Sequence, residues 1–130
     1  MILFTRRKFA TYVLACAWLC SLGCGGAEVD KYELHGKVTY QGAPVPRGEI
    51  TLEPDASAGN TGPGTTVRIE NGEYNTEGGM GAVGGPHIVR INGFDGVADG
   101  DNADGKQLFP PYEAKVDLPK QSGEKDFNIE

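Results

Sequence analysis

The chain has 130 residues, with 12 Lys and Arg against 18 Asp and Glu, and a formal net charge of −6. That length suits one ordinary domain, and the acidic balance excludes the phosphate attraction on which nucleic-acid binding depends. Three cysteines and two histidines leave little material for a disulfide framework or a metal centre.

Residues 5–24 fall into three zones: a cationic start (Arg6, Arg7, Lys8), an uncharged apolar run from Phe9 to Leu22, and a small-residue exit, Gly23-Cys24-Gly25-Gly26. The apolar run is too short for a permanent span of roughly 30 Å of hydrocarbon and predicts a helical signal peptide over residues 1–23. All three cysteines (Cys16, Cys20, Cys24) lie in this region. Removing the signal therefore leaves one thiol, which has no internal partner for a disulfide. It also removes three basic side chains: 12 less three leaves 9 against 18 acidic groups, a net of −9.

Ser21-Leu22-Gly23-Cys24 resembles the lipobox of bacterial lipoproteins, with Ser21 in place of the usual Leu, Val or Ile. The resemblance implies that Cys24 is diacylglycerylated, that the chain is cut before it, and that the new amino terminus is acylated. Two or three acyl chains, at about 0.8 kcal/mol per buried CH₂, hold a small domain on a bilayer. Thr5-Arg6-Arg7-Lys8-Phe9 is similar to the twin-arginine export signal. Residues 24–32 then supply the lipidated cysteine and a short polar tether, which keeps the domain close to the membrane.

From residue 33 to 130 the pattern is β throughout. Leu34, Gly36, Val38 and Tyr40 alternate with His35, Lys37 and Thr39, and Ile50 and Leu52 alternate with Glu49, Thr51 and Glu53. Strands are expected at about 33–40, 48–53, 65–70, 73–76, 87–92, 114–118 and 125–129. Asn71-Gly72 is a two-residue hairpin signal. With 19 glycines and all 8 prolines after the signal, the chain predicts an all-β domain, an antiparallel sandwich of about seven strands of immunoglobulin-like or prealbumin-like type.

Several runs carry a family resemblance: Gly36-Lys37-Val38-Thr39 through Gly48, Ile50-Thr51-Leu52-Glu53-Pro54, Asn71-Gly72-Glu73-Tyr74, and Gly85-Pro86-His87-Ile88-Val89. Together they resemble a carboxypeptidase-regulatory-like, transthyretin-like domain. Asn71 replaces the family's usual Asp, and Gly85-Pro86 replaces Pro-Gly. The ending, Leu108-Phe109-Pro110-Pro111-Tyr112 followed by Lys115-Val116-Asp117-Leu118, is similar to small bacterial lipoproteins built from one such domain. The resemblance implies a prealbumin-like fold.

Candidate sites are few. Asp95, Asp99, Asp101 and Asp104 could offer hard oxygen ligands to Ca²⁺, but counting from Asp99 puts Ala103 at position 5 and Pro110 at position 12, which fails the EF-hand rule. A solvated loop is the better reading, and no metal or cofactor is expected. Phe109 and Tyr112, beside paired prolines that hold the chain extended, are candidates to present rings to a sugar or peptide, against the alternative that they plug the end of the sandwich. His35 is expected on an exposed face and His87 at a surface or strand end. Ser57 and Ser122 sit in polar loops without a nucleophile-elbow pattern.

The expectation is a non-catalytic lipoprotein, anchored to the membrane outside the cytoplasm, acting as a structural or interaction module at the cell envelope with an envelope protein or glycan as partner and no nucleic acid. The alternative is a carbohydrate- or peptide-binding module using the Asp95–Tyr112 loop side. A hydrolase is the weakest reading, because no nucleophile–base pair can be assembled.

Overall fold

The computed structural model describes residues 28–130; the expected signal peptide, Cys24 and the start of the expected tether lie outside the described residues. The described part is all-β. Its one helical element is a 3₁₀ turn at Ala56–Ala58, started by Asp55, whose side chain accepts from the Ser57 backbone amide. The strands are β1 (Leu34–Tyr40), β2 (Ala43–Pro44), β3 (Arg47–Pro54), β4 (Thr65–Glu70), β5 (Glu73–Asn75), β6 (Gly85–Phe94), β7 (Tyr112–Leu118), β8 (Gly123–Glu124) and β9 (Phe127–Ile129). They pair in the order β2-β1-β5-β4-β3-β6-β7, with β8 and β9 also on β1, and the sheet curls into a half-barrel.

Alternation along each strand decides which face is buried. Ile50 and Leu52 on β3, Val67 and Ile69 on β4, and Val89 and Ile91 on β6 all point inward and are at most 6% exposed. Charged residues take the opposite face. On that side Arg90 reaches Glu53 through Nη1 and Glu113 through Nε, the latter at 2.9 Å.

β1 is the branch point of the fold. Its first half pairs antiparallel with β5 and parallel with β8; its second half pairs antiparallel with β2 and parallel with β9. The expected last strand, 125–129, is shorter, Phe127–Ile129, and is preceded by a separate strand, Gly123–Glu124, that the pattern did not predict. The two are separated at Lys125-Asp126, where the chain steps over Gly36 and the Asp126 carboxylate accepts from the Lys37 amide at 2.7 Å. The expected strands at 87–92 and 114–118 extend further, to Gly85–Phe94 and Tyr112–Leu118, because tertiary pairing continues past the sequence signal.

Two hairpins share one device. Asn71 (φ 52°) and Gly72 (φ 76°) join β4 to β5, and Gln41 (φ 49°) and Gly42 (φ 79°) join β1 to β2. Positive φ at both central residues matches the right-handed twist of the flanking strands. β2 itself has no periodic signature, being two residues with a proline.

The core joins both parts of the sheet. Tyr74 lies over Phe127, ring centroids 5.8 Å apart, and donates its hydroxyl to the Lys125 carbonyl at 2.7 Å. Burial, and secondly the Asp126 carboxylate, push the Tyr74 phenol well above its ordinary range. Ionisation is thus suppressed in the folded state relative to the unfolded chain. The resulting stability is fully present below about pH 10, the ordinary phenol value, and is lost as pH rises beyond it. We expect Tyr74→Phe to cost about 1 kcal/mol at neutral pH and to flatten the fall in stability above pH 10, as read from urea unfolding. An unchanged alkaline slope would contradict this assignment.

Candidate functional site

The β4–β5 hairpin is joined at Glu70↔Glu73 only. Beyond that pair β4 stays with β3, whereas β5 turns to β1. The divergence opens a groove of about 1040 Å³, whose rim carries His35, Lys37 and Arg68 together with Glu70, Glu73 and Glu77. Both signs of charge occur, Met80 adds an apolar end 49% exposed, and the groove is open to solvent. Such a trough suits an extended polar chain better than a buried small molecule. No sequence signal marked it, because its lining joins outward residues of three strands with edges of the buried Val67 and Tyr74, brought together only where β4 and β5 part.

Phe109 does not face solvent. It is 6% exposed, its ring centroid is 4.9 Å from that of Tyr40, and its edge lies over Gly93, where an added Cβ would come within 2.5 Å of the ring. Tyr112 is half-buried at the start of β7 and packs against the core. The pair therefore does not form an exposed two-ring platform; the burial of Phe109 corresponds to the plug.

The acidic loop is held by its own carboxylates. Asp95 Oδ1 accepts from the amides of Val97 (2.9 Å) and Lys106 (3.0 Å), and Asp104 Oδ1 pairs with Arg68 Nη2 at 2.8 Å. Asp99 and Asn102 exchange backbone bonds at 3.0 Å each, and Asp101 is exposed at the tip. These four side chains are spread along the loop. Among the described residues, no group of three or more His, Cys, Asp or Glu side chains is placed to hold a metal ion.

Among the described residues the serines and histidines form no hydrogen bonds with one another. Ser57 Oγ donates to Asp55 Oδ1, and Lys115 Nζ lies 3.5 Å from Asp55 Oδ2. The Ser57 bond first, and the Lys115 charge next among the favourable contacts, hold the Asp55 carboxyl below its ordinary range against the opposing effect of burial. His87, expected at a surface or strand end, is 1% exposed: its position on β6 shares the inward parity of Val89 and Ile91. Its Nδ1 lies 2.9 Å from the Gly85 carbonyl oxygen, and its Nε2 has no hydrogen-bond partner among the described residues. His87 lies opposite Pro54 in the β3–β6 register, one residue from Asp55, yet among the described residues it makes no hydrogen bond to Asp55 or Ser57. Ser122 Oγ accepts from the Glu33 amide, and His35 is exposed on β1, as its strand parity predicted.

An all-β domain with an open, mixed-charge groove is the class these observations define. Comparison with protein-family models, curated proteins and solved structures gives no match.

Proposed function

We propose that this chain is an extracytoplasmic lipoprotein, held to a membrane by acyl chains on Cys24, whose residues 33–130 serve as a non-catalytic structural or interaction module at the cell envelope. The observation that carries the proposal is the N-terminal order of a cationic start, a short apolar run and Gly23-Cys24, followed closely by β1. A tether this short keeps the domain within reach of the bilayer. The division of β1 between two sets of partners favours a two-layered, prealbumin-like sandwich of the carboxypeptidase-regulatory-like kind. Its outward ion pairs suit a solvated surface.

The groove between β4, β5 and β1 favours a second reading, binding of an extended peptide or glycan, at a site next to the Asp95–Tyr112 loop, whose Asp104 pairs with the rim residue Arg68. Membrane fractionation of cells expressing the full chain tests the main reading. The protein is expected in the membrane fraction, and Cys24→Ala is expected to move it to the soluble fraction or to leave it as uncleaved precursor. Recovery of the unsubstituted chain as a soluble protein would overturn the anchor.

A further inference from the structure

β7 ends the sheet. One edge pairs with β6 along all seven residues, and among the described residues the other edge makes no backbone hydrogen bond. Exposed edges of this length are usually blunted by a proline, a bulge, a cover or charged side chains; β7 carries only the last of these, Glu113, Lys115 and Asp117, and their signs alternate. Here Pro110-Pro111 and Pro119 bound the strand and none lies inside it. Its inward residues Tyr112, Ala114 and Val116 are only half-buried, whereas their neighbours on β6 are fully covered.

We propose that β7 pairs with the β7 of a second copy, antiparallel and centred on Ala114, joining two domains into one continuous sheet. Directly opposite residues of an antiparallel pair share a face, so only registers centred on a residue are allowed. Centring on Ala114 sets Glu113 against the partner's Lys115 and Lys115 against the partner's Glu113 on the outer face. On the inner face it sets Tyr112 against the partner's Val116 and Ala114 against the partner's Ala114. Shifting the centre to Lys115 opposes Glu113 to the partner's Asp117 and Lys115 to the partner's Lys115, so every charged pair becomes repulsive. Centring on Val116 matches Lys115 with the partner's Asp117 but faces Tyr112 with the partner's Lys120. The Ala114 register, which leaves Asp117 opposite the partner's Pro111, is the one that matches charge on the outer face while keeping Tyr112 against an apolar side chain. It also extends the Glu53–Arg90–Glu113 ion-pair row, already formed across β3, β6 and β7, into the second copy. The paired segment is short, so the dimer is weak in solution and is favoured wherever copies are concentrated on a surface.

Cysteine crosslinking of the full chain, in whichever fraction holds it, tests the register. Cα atoms opposite one another lie about 4.5–5.5 Å apart, within disulfide range. Ala114→Cys is therefore expected to give a covalent dimer on mild oxidation in excess of any the unsubstituted chain forms through Cys16, Cys20 or Cys24, and Val116→Cys is expected to give no such excess. Adding Lys115→Glu to Ala114→Cys should weaken dimerisation about tenfold, and adding Glu113→Lys as well should restore it. Absence of an Ala114→Cys dimer in protein that retains its β circular dichroism would overturn the proposal. So would preferential crosslinking of Val116→Cys, or an Ala114→Cys dimer indifferent to the charge changes.

Discussion

Phe109→Ala is expected to lower the stability of the domain by about 3–5 kcal/mol, the usual range for deleting a buried ring. Phe109 closes the core where the chain returns from the acidic loop: the Leu108 amide donates to the Gly93 carbonyl at 2.9 Å and aims the following ring at Tyr40 and Gly93. The ring and Gly93 are complementary, because any Cβ at position 93 would occupy space the ring already fills. Gly93→Ala should therefore also destabilise, although its backbone conformation is ordinary. Urea unfolding measures both, through a lower midpoint at an unchanged slope. A loss below about 1 kcal/mol for Phe109→Ala would mean that the ring contributes little to the core and would return it to the role of an exposed binding ring.

Gly36→Ala is expected to cost more than about 3 kcal/mol and to detach the end of the chain. An added Cβ would lie 2.1 Å from the Lys125 carbonyl oxygen and 2.9 Å from the Asp126 carboxylate. The first obstacle is backbone, so relief requires the Lys125-Asp126 step between β8 and β9 to move away from β1. The parallel pairing at Val38↔Phe127 and Tyr40↔Ile129 would then be lost. Amide hydrogen exchange should show residues 127–129 losing protection before the β3–β6 amides. Gly42→Ala is the control: nothing lies within 4 Å of its Cβ position, so its cost is the positive φ of 79° alone, about 1–2 kcal/mol. Equal effects at the two sites would contradict the close crossing at Gly36.

The inward residues of β1 and β3, together with the Asn71-Gly72 turn, were legible in the sequence because each rests on local physics: period-two burial or positive φ. β8 and the Lys125-Asp126 step before β9 were not, since that step lies over Gly36, almost ninety residues earlier in the chain. β2 was hidden because two residues carry no period, and it exists only through the Gln41-Gly42 turn. Strand parity placed His35 correctly, whereas His87 was read from its Gly-Pro neighbours rather than from the parity it shares with Val89 and Ile91. The groove left no trace in the sequence. It arises from a difference in pairing between β4 and β5, which brings exposed strand residues together with edges of the core residues Val67 and Tyr74.

The central claim, an acylated domain held at the envelope, is tested most directly by the intact mass of the protein extracted from membranes, beside a Cys24→Ala control. The account predicts a mass equal to residues 24–130 plus acyl chains, absent from the control. An unacylated mass beginning near Ala27 would contradict it and would make the protein a freely secreted domain.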